Sequence, residues 1–135
     1  MSGADSFFDT SVLLYLLSED AGKADRAEEL LERHGVISVQ VLNEFAAVAT
    51  RKLGLPHTDV REVLATIRAI CRTEPLTVEV HDKGLEIAAR YGFAFYDSVI
   101  VASALLAGCR ALYSEDLQHG QRIERLTVTN PFVSA

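Results

Sequence analysis

The sequence predicts an α/β fold, with helices on both faces of a mainly parallel sheet in three α/β/α layers. Short apolar runs alternate with helical stretches of ~10–15 residues, which is typical of crossover units in parallel sheets. Glycines and prolines fall at the boundaries between these segments. No linker or repeat divides the 135 residues, so we expect one domain over 1–135.

The first elements are a strand and two helices. Ser6–Phe8 is predicted as a strand that ends at Asp9. Thr10 and Ser11 offer capping hydroxyls for an apolar helix over Val12–Leu17. The second helix is amphipathic, and its apolar stripe consists of Ala24, Ala27, Leu30 and Leu31.

A strand and two longer helices follow. Gly35 ends the amphipathic helix and Val36–Ile37 is predicted as a strand. Ser38 is placed to cap a helix that extends to about Leu53. The next helix has an apolar side from Val60 to Cys71, and its predicted cap is Thr58 or Asp59.

The last part of the chain contains more strands. Leu76–Val78 is a candidate strand and His81–Tyr91 a helix that ends at Gly92. Asp97 begins the most apolar helix, which runs through Leu106 and ends at a glycine. The remaining segments are a strand, a polar loop and a last strand, at Arg110–Tyr113, Glu115–Gln121 and Arg125–Thr129.

Composition excludes several classes of protein. Hydrophobic residues make up 49% of the chain and charged residues 24%, which favours a soluble domain over a disordered or fibrous chain. The longest uncharged run, Ser98–Cys109, is far shorter than the ~20 residues of a membrane-spanning helix. No secretory signal is apparent, so we expect a cytoplasmic protein that does not enter a membrane.

The cysteines, histidines and net charge give weaker information. Cys71 and Cys109 are expected to be reduced core residues, and the four scattered histidines do not have the spacing of a zinc site. The net charge of −6 argues against a broad basic surface for nucleic acid. That argument weakens if several of the acids form one metal-binding cluster.

Two aspartates follow strands. Asp9 comes directly after the first strand, and Asp116 lies shortly after the strand that ends at Tyr113. Ligands of parallel sheets gather at the carboxyl ends of the strands, so these side chains are candidates for one site. Each aspartate alone is equally explained as a turn or helix-start residue.

Two further acids have unusual positions on helices. Glu44 lies at the border of the apolar arc around Val41 and Phe45, where a long side chain either faces a site or extends to solvent. Asp97 lies in the first turn of its helix, where the helix dipole alone is a sufficient structural reason. Four converging acids would repel one another unless a hard cation such as Mg²⁺ or Mn²⁺ bound them. Such a site suits hydrolysis of a phosphodiester.

The chain resembles the PIN domain family, and within it the small VapC-type toxin ribonucleases of toxin–antitoxin pairs. The resemblance covers about Phe7–Phe132 and depends on the order and spacing of four motifs, which are Phe8–Leu13, Leu42–Phe45, Tyr96–Ser98 and Leu112–Leu117. It implies a three-layer α/β/α domain that binds Mg²⁺ or Mn²⁺ through Asp9, Glu44, Asp97 and Asp116. Asp9 and Asp97 would hold the principal metal with help from Asp116. Glu44 would bind a second metal or act as base, and Glu115 stays open as an alternative to Asp116.

Other polar residues have expected supporting roles. Ser11 and Ser114 match small polar positions of the family and would orient a carboxylate or a bound water. Lys23, Arg51 and Lys52 are candidates for contacts with RNA phosphates, or are ordinary solvated charges.

The resemblance also implies an activity and partners. We expect an endoribonuclease that leaves 5′-phosphate and 3′-hydroxyl ends, acts as the toxin of a type II pair, and forms a homodimer. A cognate antitoxin would dock a helical segment on an apolar groove, for which Ser11–Leu31 and the border of the Glu44 helix are candidates. The alternative is a non-catalytic module that binds RNA or protein. Phosphotransfer domains fit poorly, because dehalogenase-like enzymes need an acid where Ser11 stands.

Overall fold

The computed structural model describes residues 5–133, so the first four and last two residues of the predicted domain lie outside the described part. Its strands are β1 (Ser6–Phe8), β2 (Val36–Ser38), β3 (Arg72–Glu74), β4 (Ala111–Tyr113), β5 (Arg122–Ile123) and β6 (Leu126–Thr129). Its helices are α1 (Thr10–Leu13), α2 (Ala21–Leu31), α3 (Val39–Arg51), α4 (His57–Ile70), α5 (Val78–Tyr91) and α6 (Phe95–Leu106).

The strands form one sheet in the order β3-β2-β1-β4-β6-β5. Every pairing is parallel except that of β5 with β6. The predicted α/β class with a mainly parallel sheet is therefore confirmed. The core is centred on the inner strands, where Phe7, Phe8, Ile37 and Leu112 are fully buried.

One predicted strand is wrong. Thr77 is the N-cap of α5, and its hydroxyl accepts a hydrogen bond of 3.1 Å from the Val80 N–H. Val78, whose side chain would have to pack in a strand, is 78% exposed. The strand of this region is β3, at the edge of the sheet, where partly exposed polar residues give no apolar signal.

Several predicted helix starts also need correction. Asp9, rather than Thr10 or Ser11, caps the first helix, and regular α-helix ends after four residues because Leu14–Leu17 form a 3-10 turn. Pro56 is the N-cap of α4, in place of Thr58 or Asp59. The starts predicted at His81 and Asp97 are a few residues late, since α5 and α6 begin at Val78 and Phe95.

Other expectations are confirmed. Ser38 caps α3 by accepting a hydrogen bond of 3.4 Å from the Val41 N–H. Cys71 and Cys109 are buried and form no disulfide. The last predicted strand is observed as β6, although the short β5 before it was not predicted. Within residues 5–133, no helix has both the length and the apolar character needed to cross a membrane.

Gly35 allows close packing between β1 and the start of β2. A Cβ atom there would lie 2.6 Å from the Phe8 ring and 2.8 Å from the Ser6 carbonyl oxygen. A Cβ atom essentially never lies within 3.0 Å of another residue's heavy atom, so only glycine fits at this position. Gly35 thus helps to fix the strand that presents Asp9.

Candidate active site

The site begins where two central parallel strands end side by side. Phe8 of β1 is in register with Tyr113 of β4, and the Asp9 N–H donates a hydrogen bond of 2.9 Å to the Tyr113 carbonyl. Asp9 and Ser114 therefore lie next to each other at the carboxyl edge of the sheet. This is the place at which parallel sheets bind ligands.

Two serine hydroxyls connect the Asp9 carboxylate to the turn after β4. Ser11 and Ser114 donate hydrogen bonds of 3.1 Å and 2.6 Å to Asp9 Oδ2. The same hydroxyls accept hydrogen bonds of 3.1 Å from the backbone N–H groups of Glu115 and Asp116. Asp9 thereby fixes both the start of α1 and the conformation of the turn that carries Asp116.

Asp9 is a buried carboxylate with a perturbed pKa. The residue is 3% exposed. The pKa of Asp9 is raised to about 7, chiefly by burial and in smaller part by the charge of Asp116, while hydrogen bonds from Ser114, Ser11 and the Thr10 N–H oppose the shift. The carboxylate is thus costly to ionise in the protein alone, and a cation beside it would lower that cost.

Asp116 interacts electrostatically with each of the other predicted acids. Burial is the main cause of the raised pKa of Glu44, to which the charges of Asp97 and Asp116 contribute. Burial and the charge of Asp116 also raise the pKa of Asp97. Asp9, Glu44 and Asp97 therefore lie close enough to Asp116 for their charges to interact with it.

Glu44 and Asp97 reach this edge from helices. Glu44 lies half-buried on α3, and Gln40, one turn earlier, donates a hydrogen bond of 3.0 Å to its Oε2. Asp97 lies in the first turn of α6, which packs against α3. Both carboxylates are thus held on rigid elements rather than on loops.

A pocket of about 450 Å³ opens beside the acids. Glu44, Glu115 and Asp116 line its polar side, and Leu14 and Val48 belong to its apolar side. Asp97 does not line it, and Asp9 lies beneath the lining residues Thr10 and Ser11. The pocket lining thus combines apolar side chains with three carboxylates.

The sequence model of the PIN domain matches residues 6–124. The chain belongs to the PIN domain family. No curated protein matches it significantly.

Solved structures of bacterial toxins are similar to this PIN domain. One is VapC20 of Mycobacterium tuberculosis, a toxin that cleaves the sarcin-ricin loop, with 24% identity and a TM-score of 0.67 over 82% of this chain and 89% of that one. A toxin–antitoxin complex from Klebsiella pneumoniae has 20% identity and a TM-score of 0.70 over 94% and 98% of the two chains. VapBC2 of Rickettsia felis, bound to a promoter DNA fragment, has 16% identity and a TM-score of 0.66 over 91% and 96%. At these identities the likeness shows a shared fold.

The predicted basic residues differ in their relation to the PIN-domain site. Lys23 reaches its rim, because its Nζ lies 3.3 Å from the Tyr15 hydroxyl, which in turn donates a hydrogen bond of 2.6 Å to Glu115. Arg51 and Lys52 are exposed at the C-terminal end of α3, and no contact among the described residues ties either to the acids. The structure thus connects Lys23 to the pocket and leaves the other two as surface charges.

Two site residues were not predicted from the sequence. Tyr15 contacts Glu115 across 100 positions, so no local pattern could indicate the pair. Gln40 lies one helical turn before Glu44, and this spacing is the signal that could have indicated the pair.

The side chains fit a hard cation by their chemistry. The donors around Asp116 are carboxylate and hydroxyl oxygens, which Mg²⁺ and Mn²⁺ prefer. Within residues 5–133, no three His, Cys, Asp or Glu side chains form a ready-made metal cage. The acids near Asp116 still fit Mg²⁺, because this ion commonly binds one or two carboxylates and keeps several waters.

Proposed function

We propose that this PIN domain is a metal-dependent endoribonuclease and the toxin of a type II toxin–antitoxin pair. The observation that carries the proposal is that Ser114 connects Asp9 to the backbone of Asp116 at the carboxyl edge of β1 and β4, and that the charge of Asp116 acts on Asp9, Glu44 and Asp97. The products would be 5′-phosphate and 3′-hydroxyl ends. Family membership and the toxin structures that share the fold support this assignment.

The acids have distinct roles in this proposal. Asp9 and Asp97 would hold Mg²⁺ or Mn²⁺, with help from the nearby charge of Asp116. The bound ion would activate water and neutralise phosphate charge. Glu44 would position the attacking water and take up its proton, because its half-buried carboxylate is directed by Gln40 and burial raises its pKa. Ser11 and Ser114 keep Asp9 in place through their hydrogen bonds.

Covalent catalysis by cysteine does not suit this chain. Cys71 and Cys109 are buried, and burial raises the pKa of each thiol to about 11. A protonated thiol is a poor nucleophile. Direct attack by water on the phosphodiester is therefore the proposed reaction.

The proposed partners follow from the lining of the pocket and the neighbouring structures. The lining combines apolar side chains such as Leu14 and Val48 with the acids Glu44 and Asp116, so it suits an apolar helix that carries a basic residue. The complexes from Klebsiella pneumoniae and Rickettsia felis support an antitoxin as that partner. A homodimer and a cytoplasmic location remain predictions from the sequence.

An RNA cleavage assay tests the function. We expect purified protein to cut single-stranded RNA with Mg²⁺ or Mn²⁺ and to lose the activity with EDTA. Asp97→Asn and Asp116→Asn should each lower the rate of RNA cleavage at least ~100-fold, because each removes a charge from the acidic cluster of Asp9, Glu44, Asp97 and Asp116. End-labelling of the products should detect 5′-phosphates.

The control is Asp25→Asn, which makes the same chemical change at an exposed position of α2 and should leave the rate unchanged. Cleavage that persists in EDTA, or full activity in Asp97→Asn, would contradict the proposed site. Tight RNA binding with metal but without cleavage would instead support the alternative of a non-catalytic PIN module.

A further inference from the structure

Two acids stand next to each other in the turn after β4 and have different surroundings. The backbone N–H groups of Glu115 and Asp116 are fixed by the Ser11 and Ser114 hydroxyls, both at 3.1 Å. Because the backbone is fixed, the partners of the two side chains decide which carboxylate is available to a cation bound by the acidic cluster.

The Glu115 side chain has a built anchor. The Tyr15 hydroxyl donates a hydrogen bond of 2.6 Å to Glu115 Oε1. The ring of Tyr15 is itself held, because the Phe132 ring packs edge-on at 4.5 Å and the Lys23 Nζ lies 4.8 Å from the ring centroid. The Lys23 ammonium also donates to the Tyr15 hydroxyl at 3.3 Å. A short bond to a carboxylate from a group fixed in this way is a strong positional constraint.

The Asp116 side chain has no such anchor. Among residues 5–133, no hydrogen bond reaches its carboxylate. Its charge nevertheless acts on Asp9, Glu44 and Asp97. Asp116 thus has a carboxylate that no described residue holds by a hydrogen bond, whereas Glu115 is bonded to Tyr15 at the rim, from where its charge still acts on Asp116.

We propose that Tyr15 is a positioning residue that anchors Glu115 at the rim of the acidic pocket, so that Asp116 and not Glu115 serves the cluster. The inference rests on the proposed nuclease function. A glutamate released from Tyr15 would have a flexible, charged side chain beside Asp116. It would then compete for the cation and hold it away from the geometry that the reaction needs.

The test is a double-mutant cycle on Tyr15→Phe and Glu115→Gln, with kcat and KM for RNA cleavage and with Mn²⁺ binding by calorimetry. Tyr15→Phe should lower kcat about tenfold, leave KM for RNA within about twofold, and tighten Mn²⁺ binding. The double variant should return kcat and Mn²⁺ affinity to within about twofold of the original, because the uncharged amide no longer competes.

Two further variants keep the test decisive. Glu115→Asp keeps the charge but is too short to reach Tyr15, so it should lower kcat and tighten Mn²⁺ binding as Tyr15→Phe does. It therefore tests the inference even if Tyr15→Phe folds poorly. Glu115→Gln alone should keep kcat and Mn²⁺ affinity close to those of the original protein. Tyr113→Phe removes a comparable hydrogen bond, the one of 3.0 Å from Arg33 Nη1, and should change neither kcat nor Mn²⁺ binding.

Two outcomes overturn the inference. One is a folded Tyr15→Phe protein with unchanged kcat and Mn²⁺ affinity, and the other is a loss that Glu115→Gln does not relieve. If the unaltered protein does not cleave RNA, the proposed function fails, and the Mn²⁺ measurements still decide whether Tyr15 keeps Glu115 out of the cluster.

Discussion

Asp9 combines a structural and a chemical role in one side chain. Its Oδ1 accepts a hydrogen bond of 2.7 Å from the Thr10 N–H, and its Oδ2 accepts from Ser11 and Ser114. These bonds stabilise the charged form, yet burial outweighs them and holds the pKa of Asp9 at about 7. The hydrogen bonds place the carboxylate, and burial makes its charge costly unless a cation is present.

The raised pKa of Asp9 predicts how the stability of the metal-free protein depends on pH. The folded state binds the proton more tightly than the unfolded chain, whose value is 3.8, so stability falls as pH rises from 3.8 to about 7. A shift of this size corresponds to ~4 kcal/mol at pH 8. Asp9→Asn carries no charge, so in EDTA its advantage over the original protein should grow from pH 5 to pH 8. Urea unfolding at the two pH values measures it.

The comparison between pH values removes any constant cost of the amide at position 9. Asp25→Asn, at an exposed position, should unfold with the pH dependence of the original protein. The structure indicates that the ionised Asp9 carboxylate destabilises the fold. If Asp9→Asn shows the same pH dependence of stability as the original protein, that interpretation is wrong.

At the scale of elements, long apolar segments are predictable from the sequence and short or edge segments are not. The helix α6 is predictable because it is apolar throughout, and its residues from Ser98 to Leu105 are all buried. The edge strand β3 has one face and one edge toward solvent, so its residues Arg72–Glu74 have no apolar alternation. Leu76–Val78 is apolar in part, but the Thr77 cap makes it a helix start.

Replacement of Thr77 tests that correction. Thr77→Ala removes the hydroxyl that accepts the Val80 N–H and should destabilise the protein by about 1 kcal/mol, whereas Thr77→Ser keeps the acceptor and should cost little. Thermal or urea unfolding measures both. If Leu76–Val78 were a strand, serine, which lacks the β-branch, would also weaken it. Equal losses in both variants would contradict the cap.

At the scale of the whole molecule, topology explains which parts of the site were predictable. Because β1 and β4 are parallel neighbours, the rule for strand ends was enough to place Asp9 near Asp116. Contacts between distant side chains follow no such rule. The Tyr15–Glu115 bond and the placement of Lys23 beside it depend on how the Leu14–Leu17 turn packs against α2, which a pattern along one chain does not encode.

The net charge of −6 and the cluster around Asp116 predict a specific response to divalent cations. A cation that binds only the folded state stabilises it by ~2.7 kcal/mol at 100 times its Kd. For a chain of this size, that raises Tm by roughly 5–10 °C. Millimolar Mg²⁺ or Mn²⁺ should therefore raise Tm more than NaCl of equal ionic strength, which only screens the charges.

Paired variants separate binding in the cluster from the general charge effect. Asp97→Asn/Asp116→Asn should lose most of the Mg²⁺-induced rise, because it removes two of the clustered carboxylates. Asp25→Asn/Asp59→Asn changes the net charge equally at exposed positions and should keep that rise. A thermal scan of the three proteins in MgCl₂ and in matched NaCl decides between binding in the cluster and a general charge effect. An equal rise of Tm in both salts, or in both double variants, would mean that Mg²⁺ acts on the whole acidic surface. The carboxylates around Asp116 would then not be its binding site.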